Sequence, residues 1–140
     1  MRRRAPLAIC VPLLVAFSAF GQAPAPAPPE TLAKDSPRAT PAGTTFTAPA
    51  GWILTTKDAM VVLDPPEADS HVAIVDVKAK DADAAVAAGW AAYKPGFRRP
   101  LKLSLPQAAK DGWEERKAYS YETSPNERAV VGAYAWRKGE

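Results

Sequence analysis

Between His71 and Tyr93 an apolar strand runs straight into the one clear helix of the chain, and no other stretch limits the fold as strongly. His71-Val72-Ala73-Ile74-Val75-Asp76-Val77 is apolar on both alternating sets, Ala73, Val75 and Val77 on one, Val72 and Ile74 on the other. Such a strand is usually covered on each face, which predicts a central position in a sheet. Asp81 then fits a helix N-cap, and Asp83 in the first turn suits the positive end of the helix dipole. Ala82, Val86, Trp90 and Tyr93, with Ala85 and Gly89 between them, fall on one helical stripe. A helix this short is marginal alone, so the stripe has to lie on the sheet. Burying Val86, Trp90 and Tyr93 there contributes on the order of 2 kcal/mol each.

Around this segment the strands come in a row. Thr44-Thr45-Phe46-Thr47 is β-prone and precedes the turn Pro49-Ala50-Gly51. Trp52 to Thr56 and Ala59 to Asp64 predict a hairpin about Lys57-Asp58, closed off by Pro65-Pro66 because proline cannot donate to a ladder. After the helix stop at Lys94-Pro95-Gly96, Leu101-Lys102-Leu103-Ser104-Leu105 alternates as a half-buried strand, and Pro106 to Gly112 reads as a loop. Trp113 to Glu122 places Trp113, Tyr119 and Tyr121 on one face and Glu114, Arg116, Ala118 and Ser120 on the other. Ser124 to Glu127 is a turn. The stretch from Arg128 to Arg137 predicts a last strand with Val130, Gly132, Tyr134 and Trp136 on one side and Ala129, Val131, Ala133 and Ala135 on the other. Short turns between consecutive strands predict an α+β fold: an antiparallel sheet of about six or seven strands covered by one main helix.

Residues 1–21 have the parts of a secretory signal: Arg2-Arg3-Arg4, an apolar run from Leu7 to Phe20, and small residues at Ala19 and Gly21. A membrane anchor is the alternative, opposed by the shortness of the run and by Pro6 and Pro12. Residues 22–43 form an Ala/Pro-rich linker whose Ala23 to Pro29 stretch is suited to polyproline II, which leaves 44–138 as the small α+β domain. The signal also owns the net charge. Its three arginines belong to the 18 Lys and Arg of the chain, so without them 15 basic residues face 15 acidic ones. A neutral domain gives no reason to expect nucleic acid as a partner. Cys10, the one cysteine, lies in the signal, so the exported chain offers no disulfide, thiolate ligand or thiol nucleophile. A periplasmic or secreted location follows as an expectation, with no stable membrane span after signal cleavage. At the other end, Lys138-Gly139-Glu140 resembles the opening of a hairpin turn, which suggests that the domain is truncated there.

Asp64, Glu67, Asp69 and His71 are the densest set of metal-ligating side chains, oxygen donors with one imidazole, though acidic residues in a turn are more commonly just solvated. No Gly-x-Ser-x-Gly or Ser-x-x-Lys occurs, and Thr31-Leu32-Ala33-Lys34, which has the latter spacing, sits in the linker where nothing excludes water. No catalytic residue and no cofactor is therefore assigned. Lys94, Arg98, Arg99 and Lys102 cluster around Phe97, a basic loop for an anionic polymer or headgroup, or for balancing nearby acids. Trp52, Trp90, Tyr93, Trp113, Tyr119, Tyr121, Tyr134 and Trp136 would suit a sugar-stacking face, but their spacing follows the elements and assigns most of them to the core.

Three runs, Phe46-Thr47-Ala48-Pro49-Ala50-Gly51-Trp52, Val62-Leu63-Asp64-Pro65-Pro66-Glu67 and Ala73-Ile74-Val75-Asp76-Val77, resemble a known N-terminal region, as do Trp113-Glu114-Glu115 and Thr123 to Arg128. It is the region that precedes the catalytic domain in certain exported bacterial serine hydrolases of the β-lactamase and penicillin-binding class. The likeness spans Phe46 to Trp136 in short separate matches. More loosely, the Pro-x-Gly-Trp hairpin, sheet and covering helix are similar to the Mog1/PsbP-like fold. The resemblance implies a non-catalytic accessory domain whose partner is a C-terminal serine hydrolase domain or another envelope protein. The family's Ser-x-x-Lys, Tyr-x-Asn and Lys-Thr-Gly elements have no counterpart in these 140 residues. A free-standing periplasmic binding or assembly module is the alternative.

Overall fold

A computed structural model of the chain describes residues 27–139; the stretch read as a secretory signal and the start of the one read as a linker lie outside the described residues. Among the described residues the fold is α+β, with one α-helix and antiparallel sheets. In chain order the elements are β1 (Glu30–Thr31), β2 (Ser36–Ala39), β3 (Thr45–Ala48), β4 (Ile53–Lys57), β5 (Met60–Asp64), β6 (Val72–Val75), α1 (Ala82–Tyr93), β7 (Leu101–Gln107), β8 (Glu115–Tyr121) and β9 (Gly132–Arg137). They form not one sheet of six or seven strands but three: β1-β4-β5-β6, the ribbon β2-β3, and β7-β8-β9.

The first sheet grows from the β4–β5 hairpin, where Asp58 takes a left-handed φ of 51° that its short polar side chain tolerates. Register sets Leu54, Val61, Leu63 and Ile74 on one face, and Leu32 and Ala48 close over it. Leu32 and Val61 are the largest side chains buried almost completely. The turn Pro49-Ala50-Gly51 holds Leu32 in place: Gly51, at φ 80°, donates to the Leu32 carbonyl at 2.7 Å, and the Leu32 amide donates to the Trp52 carbonyl at 2.9 Å. The folded part thus begins about fourteen residues before Thr44. Residues 30–39, assigned to the linker on composition, supply β1, β2 and a core leucine.

β6 departs from its predicted central place. It is an edge strand, hydrogen-bonded to β5 alone, with β1 at the other edge and the middle positions held by β4 and β5. Its apolar character on both sets has another cause: Ile74 joins the β4–β5 core while α1 packs against the strand. Asp76, just past its end, accepts hydrogen bonds from the Thr40 and Thr44 hydroxyls and so ties β6 to the β2–β3 turn.

The helix forms as its caps require. Asp81 accepts from the Ala84 amide at 2.8 Å, and the Lys94 amide closes the last turn on the Trp90 carbonyl at 2.8 Å. Its buried face meets the third sheet, where Ala82, Tyr119 and Ala135 form a second core with Ala85, Val86, Tyr121 and Ala133 packed around it. Small residues on both sides let the helix approach closely. None of the helices among the described residues is long and apolar enough to cross a membrane.

Candidate functional site

A groove of about 590 Å³ runs between α1, the Lys94–Leu101 segment and β8. Its shape follows from a turn that the sequence announces. Pro95-Gly96 reverses the chain after the helix, Gly96 at φ 88° and the Phe97 amide donating to the Lys94 carbonyl at 3.0 Å. This lays Phe97 flat on Trp90, ring centres 3.7 Å apart and planes 2° from parallel. Tyr121 meets both rings edge-on, at 5.5 Å and 4.9 Å, and its hydroxyl accepts from Trp90 Nε1 at 2.9 Å. Edge-to-face and stacked pairs of this kind add to simple burial, so the wall is built to hold its shape.

The two ends of the groove differ in charge, one closed by a neutralised ion pair and the other basic. At one end Tyr119 Oη donates to Asp83 Oδ1 at 2.7 Å while Lys117 Nζ donates to both Asp83 oxygens, at 2.8 and 3.0 Å. These hydrogen bonds, Lys117's first, hold the Asp83 carboxyl below its ordinary pKa, and burial and then Asp83 push the Tyr119 phenol up. At the other end stand Lys94, Arg98 and Arg99. Arg99 is committed: it forks onto Glu127 at 2.6 and 2.9 Å and donates to the Glu122 carbonyl at 3.2 Å. Lys102, the fourth member of the basic cluster in the sequence, lies in β7 and does not line the groove.

The Arg99–Glu127 fork fastens the loop that carries Phe97, and it is pH-sensitive. Hydrogen bonds from Arg99 and from the Ser124 amide bring the Glu127 carboxyl down to about 2, from an ordinary 4.5. A depressed folded-state value favours the ionised form, so this contribution is whole above about pH 4.5 and fades as pH falls toward 2. Thermal melts between about pH 5 and pH 2.5 should therefore show the wild type losing more of its midpoint than Glu127→Gln does. Parallel losses would mean that the fork does not fasten the loop.

The sequence-predicted metal residues do not converge. Asp64 ends β5, Glu67 and Asp69 are exposed in the following loop, and His71 leans on the Tyr93 ring with centroids 5.7 Å apart. Among the described residues no three His, Cys, Asp or Glu side chains are grouped to hold one cation. Proximity in sequence put these four together; the two prolines after Asp64 and the outward loop separate them.

Sequence reasoning missed a surface on the far side of the third sheet. Cross-strand register places Leu103 and Leu105 of β7, Arg116, Ala118 and Ser120 of β8, and Gly132, Tyr134 and Trp136 of β9 on the face turned away from α1. Leu103, Leu105 and Trp136 are each about half exposed, and Tyr134 is 68% exposed. The leucine strand is therefore not half-buried as its alternation predicts. A shift in register between Leu101 and Leu103 turns Leu101 toward the groove, while Leu103 and Leu105 face outward. Trp113 joins the rim, 5.8 Å from Trp136, and the Arg116 guanidinium lies 5.8 Å over the Trp136 ring. Six of the eight candidate stacking aromatics divide between two surfaces, Trp113, Tyr134 and Trp136 on the open face and Trp90, Tyr119 and Tyr121 in the groove, while Trp52 packs on the first core and Tyr93 against His71.

Comparison with protein families, with curated proteins and with solved structures gives no match for this chain.

Proposed function

We propose that the chain is a non-catalytic accessory domain of an exported serine hydrolase of the β-lactamase and penicillin-binding class, docking on the catalytic domain through the outer face of β7-β8-β9. Its place of work is the periplasm or the outside of the cell, reached through the signal at 1–21. The observation that carries the proposal is the alignment of Leu103, Leu105, Tyr134 and Trp136 on one face of a sheet whose other face is already covered by α1. Contiguous apolar surface of this kind on a folded domain marks an interaction site. Its composition favours a protein over a sugar: the two leucines offer no hydrogen bonds to hydroxyls. Tyr, Trp and Arg enriched at the centre, with few other charges, is the make-up of a protein interface core. Arg116 is the one charged side chain in the paired register of this face, so the docked surface should be apolar with a carboxylate opposite it. The resemblance of Phe46 to Trp136 to the region preceding such catalytic domains names the partner.

The partner is found by reading the encoding DNA past codon 140 for a Ser-x-x-Lys hydrolase, expressing that domain and titrating it with the chain. Binding should occur with wild type and weaken at least tenfold in Leu105→Lys, while the melting midpoint of the variant stays within a few degrees. Equal binding by the variant, or the absence of such a hydrolase in the DNA, would reject the proposal. A dimer that Leu105→Lys dissolves would give the face to self-association instead.

A further inference from the structure

The geometry points to a second, independent binding site: the groove beside α1 takes a small amphiphilic monoanion, its apolar body along Trp90, Phe97 and Tyr121 and its carboxylate on Lys94 and Arg98. Four features of the groove lead there. Its volume of about 590 Å³ lies inside the ~300–1,000 Å³ span of small-molecule pockets. Its walls are apolar, Val86, Trp90 and Leu101 above a floor of Tyr119 and Tyr121, which suits an alkyl or aryl body. The Tyr121 hydroxyl is used only as an acceptor, from Trp90, and keeps its own proton to donate.

The charges fix the direction and number of ligand charges. Arg99 is taken by Glu127, but among the described residues neither Lys94 nor Arg98 has a carboxylate within 4.0 Å; the one hydrogen bond of the Arg98 side chain goes to the Phe97 carbonyl at 2.8 Å. Two uncommitted cations at the mouth of an aromatic groove attract an anionic head. The opposite end offers no cation for a second one, since Lys117 is held there by both Asp83 oxygens. A monoanion with a single apolar tail fits this polarity. A polyanion does not: the groove itself offers two free cations, too few to hold a nucleic-acid backbone.

Decanoate, kept below its micelle concentration, is the probe, with decyltrimethylammonium as the oppositely charged control. Isothermal titration of the full chain should show saturable decanoate binding at least tenfold tighter than that of the cation. Lys94→Glu/Arg98→Glu should weaken decanoate at least tenfold, reverse the preference and leave the melting midpoint nearly unchanged. Should the double variant fold poorly, Arg98→Gln, outside the helix, should still weaken decanoate several-fold. Leu105→Lys, on the other face of the sheet, should bind decanoate as wild type does, which separates this site from the docking face. No saturable binding, equal binding of both probes, or undiminished binding by the folded rim variants would overturn the inference. Binding to phosphatidylglycerol vesicles without binding of free decanoate would overturn it too, since the contact would then be a bilayer surface.

Discussion

Leu32→Ala is expected to destabilise the domain by about 3 kcal/mol, within the 2–5 kcal/mol typical of a large aliphatic cut to alanine in a core. Only 2% of the residue is exposed, and its side chain fills the space between Ala48, Leu54, Val61 and Leu63. The β4–β5 hairpin cannot close over the cavity, because its register fixes Leu54 opposite Leu63 and the Gly51 turn holds the Leu32 backbone at both its amide and its carbonyl. A domain of ordinary stability, about 5–15 kcal/mol, would lose a large part of it, and the melting midpoint would fall on the order of 15 °C. Urea unfolding measures the change directly. A loss under about 1 kcal/mol would return residues 30–39 to the linker that their composition suggests.

Trp90→Ala is expected to cost a similar amount, about 3 kcal/mol, at the lower end of aromatic truncations because the indole is only partly buried. Three contacts go together: the stack on Phe97, the edge contact with Tyr121 and the Nε1 hydrogen bond to its hydroxyl. Among the described residues Phe97 has no other stacked partner, so the Lys94–Leu101 segment should loosen on the helix although Arg99 still grips Glu127. Trp90→Phe keeps the stack and loses one hydrogen bond that water can replace at Tyr121, which predicts a cost of about 1 kcal/mol. Denaturant unfolding of the two variants separates packing from hydrogen bonding. Equal losses would assign the stability of this corner to the hydrogen bond, and a loss under 1 kcal/mol for alanine would deny that the stack matters.

How much of this was legible in the sequence depends on which physical signal each part left there. The helix was legible because Asp81 and Lys94-Pro95-Gly96 are local signals that act within a turn. So was the β4–β5 hairpin, between its tight connection and Pro65-Pro66. Alternation showed that β9 has an alanine side and an aromatic side, but both are apolar, and nothing in the period says which one the helix covers. The alanines won because α1 itself presents Ala82 and Ala85 and needs a close approach, which leaves Tyr134 and Trp136 outside. Leu32 was hidden by its neighbours: proline, alanine and short polar residues read as a spacer, and its being the one large aliphatic between Gln22 and Thr44 was the signal that went unused. The basic cluster could be read, but the stack of Phe97 on Trp90 needed a type of turn that composition only hints at. Asp64, Glu67, Asp69 and His71 failed for the opposite reason, since nearness along the chain says little about convergence when a proline pair sets their directions.

The account turns on whether Leu105, Tyr134 and Trp136 serve binding and not folding. Urea unfolding of Leu105→Thr/Tyr134→Thr/Trp136→Thr tests this most directly, because threonine keeps the strand propensity while removing the apolar surface. A folded triple variant within about 1 kcal/mol of wild type is the predicted result. A loss of several kcal/mol, of the size expected for Leu32→Ala, would mean that the outward face belongs to the core of the domain and has no surface to lend a partner.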